Sequence, residues 1–169
     1  MTHPYYPSGS PRFNHVALSV PAELLGETSR ADLLRYFSEV LGFEEMPTMT
    51  IDRKRLILSC VHWDQFIFLT SDDDPMRCPR TDHYGFAVGT RDELVAARDR
   101  AVAFRDQDPR VDLDDLAVDD QGFVKIHSIY VRYLLPMTCE LQWWEFVPAA
   151  ESPGATEVEV EDEDEAVSA

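Results

Sequence analysis

Cysteine is scarce in this 169-residue sequence. Cys60, Cys78 and Cys139 are odd in number and form no CxxC or CxxH pair, which argues against a disulfide framework and a zinc knuckle. Long apolar runs are missing too. No stretch approaches the roughly 18 uninterrupted apolar residues of a membrane helix, and the N-terminal MTHPYYPSGSPR lacks the apolar core of a signal peptide, so the expected location is the cytoplasm. Basic residues are few: 15 Lys and Arg stand against 32 Asp and Glu, a net charge of -17. Nucleic acid and anionic membrane are therefore excluded as expected partners, because both need neutralising cations.

What is present suits one globular domain, with 44% hydrophobic and 11% aromatic residues to build a core. Residues 1–12 are rich in Pro, Ser and Gly and read as an arm. Residues 149–169 hold eight acidic residues and no basic one, the composition of a solvated, disordered tail. Removing those eight charges leaves -9 on the rest. The domain is expected over 13–148.

Within it the order of elements repeats. Residues 13–20 alternate as a strand, with His15, Ala17 and Ser19 on one face and Val16, Leu18 and Val20 on the other. A helix is expected over 31–41, capped by Thr28 or Ser29 and stopped by Gly42. Strands follow at 48–52, 55–60 and 65–70. The second half begins with a strand at 81–88 that again carries a histidine, His83, with Gly85 and Ala87 beyond it on the same face. A helix at 91–104 and strands at 111–118, 123–135 and 138–147 complete it. The expected fold is α+β: two βαβββ modules forming one curved mixed sheet, a cup, with helices outside.

If the modules superpose, His15 and His83 face the same cup, and aligning the last strands sets Phe68 of one half against Glu140 of the other. A carboxylate in an aromatic-rich strand is costly to bury unless it is paired or ligates a metal. Two imidazoles and one carboxylate with open positions is the arrangement of non-heme Fe(II) oxygenases. His15, His83 and Glu140 are therefore the candidate ligands of one divalent ion. Phe68 and Trp144 are candidates to flank a ring, and Arg132, on the parity of Tyr130, to meet an anionic substrate group. His127 lies on the opposite parity, where a structural or surface role is expected.

The segments FNHVALSV, DHYGFAV and CELQWW, spread over residues 13–147, resemble the ligand-bearing strands of the vicinal oxygen chelate superfamily, which includes glyoxalase I, fosfomycin and bleomycin resistance proteins and extradiol dioxygenases. In glyoxalase I and the related resistance transferases the fourth strand also supplies a ligand, and Phe68 holds that position here. The sequence is more similar to the dioxygenases, with their His, His and Glu. Ser128-Ile-Tyr130 resembles the segment ahead of their metal glutamate, which implies that Tyr130 is the tyrosine hydrogen-bonding the substrate oxygen. The segment around residues 60–65 resembles the one that carries their acid/base, which points to His62, with Asp64 as rival.

The resemblance thus implies an Fe(II)-dependent (or Mn(II)-dependent) extradiol dioxygenase. It would use O2 as co-substrate on a small aromatic diol, and the single-domain L-DOPA 2,3-dioxygenases are the nearest comparison. It also implies a homodimer. Two other readings stay open: a metal-independent ligand-binding or resistance-type protein of the same fold, and a glyoxalase-type metal isomerase or lyase.

Overall fold

A computed structural model of the chain describes residues 11, 13–60 and 64–147. The acidic tail, most of the N-terminal arm and His62 lie outside the described residues. The first module runs β1 (His15–Val20), α1 (Glu27–Tyr36), β2 (Glu44–Glu45), β3 (Arg55–Ser59) and β4 (Phe66–Ser71). The second runs β5 (His83–Ala87), α2 (Arg91–Gln107), β6 (Asp112–Asp120), β7 (Val124–Arg132) and β8 (Thr138–Phe146).

Both βαβββ modules are as expected, and the fold is α+β. The hydrogen-bonded ladders make two four-stranded sheets, β1-β4-β3-β2 and β5-β8-β7-β6, where one continuous sheet was anticipated. In each module the first strand runs parallel to the last, so β1 and β5 are both edge strands of their own sheets.

Alternation along the strands sorts the faces. Leu18 and Val20 are buried, as are Leu56, Leu58, Ile67 and Leu69 on the neighbouring strands, while His15 and Ala17 are exposed on the opposite face. Against these apolar faces pack Leu33, Phe37 and Val40 from the first helical segment and Leu94, Ala101 and Phe104 from α2, in one core drawn from both modules. Each buried leucine is worth about 1.5–3 kcal/mol, and Leu69→Ala would cost roughly 2–5 kcal/mol.

The helices begin and end for local reasons. Thr90 accepts from the Glu93 backbone N–H while the Glu93 carboxylate accepts from that of Thr90, a capping box worth about 1 kcal/mol. The first helix starts at Glu27 after Gly26 and has no side-chain cap. Thr28 and Ser29 thus lie inside its first turn and are not its cap. It continues as a π-helical turn, Phe37–Leu41, and stops at Gly42, whose φ of 73° is the left-handed value glycine adopts freely. A second correction concerns residues 48–52. Pro47–Met49 form a 3-10 turn, Ile51 makes only an isolated bridge to Arg55, and the edge strand is the two-residue β2.

Candidate functional site

Strand register makes the two halves equivalent position by position. His15 pairs with Phe66 and Ala17 with Phe68 across β1 and β4; His83 pairs with Thr138 and Gly85 with Glu140 across β5 and β8. Phe68 and Glu140 thus occupy matching sites, as the sequence alignment of the halves anticipates. Glu140 also stands opposite Tyr130 on β7.

Glu140 is buried, with 3% of its surface exposed, and its carboxylate lies where a Cβ on Gly85 would come within 3.5 Å of Oε2. Burial alone would raise its pKa. Hydrogen bonding from Gln142, Tyr130 and Ser128, with the neighbouring His83, outweighs that and holds the group below the ordinary glutamate range. The carboxylate is therefore kept ionised inside the protein. The same contact, aided by burial, raises the pKa of Tyr130, whose phenolate would meet the Glu140 charge.

His83 Nε2 stands 3.3 Å from Glu140 Oε2, and its ring meets Tyr130 edge to face at 5.5 Å. Its other nitrogen, Nδ1, is 2.9 Å from the Thr81 carbonyl oxygen. A carbonyl only accepts, so Nδ1 carries the proton, and in the neutral ring the Nε2 lone pair faces an ionised carboxylate. Two lone pairs at that distance need a proton or a cation between them. His15 is alike only at Nδ1, which lies 2.8 Å from the side-chain oxygen Asn14 Oδ1, and its ring stacks on Phe66 at 4.9 Å.

The chemistry of the His83 and Glu140 pair fits two adjacent positions on a divalent ion, with the Nδ1–H bond to Thr81 acting as the outer contact that orients a histidine ligand. His15 does not join them in this chain. Among the described residues no three His, Cys, Asp or Glu side chains lie close enough together to hold an ion. His15 instead lines a cavity of about 290 Å³ between β1 and β5, with Phe66 and Gly85 among its walls.

On the other side of β5 lies a cavity of about 360 Å³, lined by Arg80, His83, Asp112, Asp114, Tyr130 and Arg132. Tyr130 and Arg132 thus stand where the sequence points them, on the face of Glu140. Phe68 is half-buried and Trp144 is exposed, its indole N–H donating to Gln142; neither lines this cavity. Asp64 is buried in the turn before β4 and lines neither of these cavities. His127 pairs with Glu145 at 2.8 Å and packs on Trp143, on the face away from the site.

Sequence reasoning missed Arg80, Asp112 and Asp114. Asp112 pairs with Arg132 and Asp114 with Tyr130 across β6 and β7, so alternate acidic positions opposite two candidate residues were the available signal. Arg80 precedes β5 and gave none.

No protein-family model matches the sequence, and no curated protein is significantly similar to it. Solved structures are similar. A glyoxalase family protein from Bacillus anthracis superposes with a TM-score of 0.55 at 17% identity, over 83% of this chain and 100% of that one. A variant of the fosfomycin resistance protein FosX from Listeria monocytogenes, complexed with Mn(II) and a dihydroxypropylphosphonic acid, gives 0.54 at 17% identity over 82% and 93%. A lactoylglutathione lyase from Agrobacterium tumefaciens gives 0.51 at 15% identity over 81% and 94%. At these identities the likeness defines the fold alone: the chain shares the fold of these glyoxalase-family and resistance proteins. Among the described residues no helix is long and apolar enough to cross a membrane.

Proposed function

We propose that the protein is a divalent-metal-dependent enzyme acting on a small molecule that binds through adjacent oxygens, with His83, Glu140 and His15 as the metal ligands. The observation that carries this reading is the approach of His83 Nε2 to the buried, ionised Glu140 at 3.3 Å, with Nδ1 already committed to Thr81. The fold is shared with a lactoylglutathione lyase and with a fosfomycin resistance protein crystallised with Mn(II), which supports an ion at this face. His15 has its Nδ1 engaged in the same way, which leaves Nε2 as its ligand nitrogen. Because His15 stands outside the pair, a homodimer in which His15 of one copy completes the pair of another accounts for the third ligand.

Metal analysis tests the proposal. Protein loaded with Mn(II) and desalted is expected to retain one ion per chain, and His83→Ala and Glu140→Ala to retain none. Wild-type protein that keeps no ion but still binds small ligands would instead favour the metal-independent binding protein.

A second reading, Fe(II)-dependent ring cleavage of a catechol with O2, is favoured by two observations. Tyr130 lies at the His83–Glu140 pair, and Phe68 fills the position matching Glu140, where an isomerase of this fold would be expected to add a ligand. The fold neighbours named above favour glyoxalase or resistance chemistry. Under the ring-cleavage reading Tyr130 hydrogen-bonds the substrate oxygen and His62 or Asp64 accepts its second proton, while Phe68 and Trp144, which do not line the cavity at Tyr130, have no part in flanking the ring within one chain. An oxygen electrode separates the readings: iron-loaded protein given a catechol consumes one O2 per ring under ring cleavage and none otherwise.

A further inference from the structure

A cavity of about 550 Å³, larger than those beside His15 and Arg132, lies where the end of the first helical segment meets α2 and β5. Leu41 and Phe43 of the first module and Phe86 and Leu141 of the second give it apolar walls. Its remaining side is one face of α2, where Glu93, Ala96, Ala97 and Arg100 follow at helical spacing. Neither His83 nor Glu140 lines it, so its occupant is not the molecule that reacts at that pair.

The two charges on that face differ in what they can still bind. Glu93 Oε2 accepts from the backbone N–H groups of Gly89 and Thr90 at 2.8 and 3.1 Å, so this carboxylate is committed to capping the helix. Arg100 donates from Nε to the Val40 carbonyl oxygen at 2.9 Å. That bond holds the guanidinium against the first module, and among the described residues its two terminal nitrogens have no hydrogen bond or ion pair. A guanidinium with that edge open can grip a carboxylate through two parallel hydrogen bonds. Seven positions on α2 set the two charges about 10 Å apart along its axis. Between them the two alanines leave the space open.

We propose that this cavity is a second ligand site, for a small free monocarboxylate with an apolar body: the carboxylate on the terminal nitrogens of Arg100, the hydrocarbon against Phe43, Phe86 and Leu141. A neutral apolar ligand would leave the guanidinium unmatched, and a cationic one would meet it as a like charge. An anion without an apolar body gains nothing from the walls, whose contribution is burial. An anionic membrane surface is opposed by the rest of a chain of net charge -17, so the ligand is an acid free in solution. The volume is that of a small-molecule site. Bound there, the acid touches both modules, and it rests on Phe86 and Ala87, which also line the cavity that holds His15. No ion is needed for this binding.

Calorimetric titration of the full chain, with and without Mn(II), tests it with acetate, butyrate, hexanoate, octanoate, octanol and octylammonium. Affinity is expected to rise about three- to fourfold per carbon from butyrate to octanoate, with no binding of acetate, and octanoate is expected to exceed octanol and octylammonium by about tenfold or more. Arg100→Gln should weaken octanoate by about tenfold and spare octanol, and Arg100→Lys should recover part of that loss. Ala96→Leu puts a good helix former at an exposed position; it should fold, fill the space and weaken octanoate and octanol alike. Circular dichroism checks that the variants fold. Octanoate that fails to bind, that binds no tighter than octanol, or that keeps its affinity in both Arg100→Gln and Ala96→Leu overturns the proposal. So does octanoate binding that requires Mn(II) and disappears in Glu140→Ala, which would put the carboxylate on the ion. Failure of the metal reading alone looks different: no ion is retained, yet the chain-length series persists.

Discussion

Gly85 and Glu140 face each other across β5 and β8, and a methyl group on residue 85 would sit 3.5 Å from the Glu140 carboxylate. That distance is ordinary van der Waals contact, so Gly85→Ala is expected to fold and to bind metal. Gly85→Val suits a strand in backbone terms but adds methyl groups where the carboxylate and its ion must lie. It should fold with near-normal stability and lose metal. Equal metal content in the two variants, measured by elemental analysis, would count against Glu140 as a ligand.

If His15 completes the site of a second copy, two inactive proteins can rescue each other. His15→Ala and Glu140→Ala, each metal-free alone, would on random pairing regain metal at about one site in four, because a mixed two-fold dimer concentrates both lesions in one site and leaves the other intact. Sites built within a single chain would regain none.

Tyr130→Phe should keep the ion and slow turnover by roughly 10- to 100-fold, the scale of one lost hydrogen bond of about 1–3 kcal/mol. Steady-state kinetics beside metal content reads this directly. Loss of metal in this variant would show that Tyr130 serves by positioning Glu140.

The two-histidine pattern was legible because a period of two places every second residue on one face. His15 with Ala17, and His83 with Gly85 and Ala87, announced that face from sequence alone. The equivalence of Phe68 and Glu140 followed from aligning the modules and is matched by the register. Other parts were not legible. Residues 48–52 read as a strand from composition, but the chain turns at Pro47 and the edge pairing moves back to Glu44–Glu45. Arg80 meets Asp112 across 32 residues through a non-repetitive segment whose path no periodicity reports. That His15 stands apart from the His83–Glu140 pair depends on how the modules pack, which strand patterns do not encode.

Outside the lining of the three cavities, the buried Asp108 accepts from Arg110 Nε at 2.8 Å and from the Tyr133 hydroxyl at 2.7 Å. The hydrogen bonds from Arg110 hold it well below the usual carboxylate range, against desolvation and with help from Tyr133. A carboxyl with a lowered folded pKa stabilises the fold above its unfolded pKa of about 3.9, and that contribution is lost as pH falls toward the folded value. Asp108→Asn should therefore cost about 2 kcal/mol at neutral pH, with the gap to wild type closing below about pH 4. Denaturant unfolding at several pH values checks this; a gap that does not change with pH would assign the cost to packing.

The division of the sheet governs how the molecule assembles. Every strand ladder among the described residues closes within one module, and the parallel pairs His15 with Phe66 and His83 with Thr138 span 51 and 55 residues. Each half of the chain can complete its backbone pairing without waiting for the other, which shortens the loops that must close and favours faster folding. The apolar faces then dock to form the common core. The docked modules of one chain leave His15 apart from the His83–Glu140 pair, so under the reading proposed above an ion held by all three would report association of two copies rather than docking of modules within one.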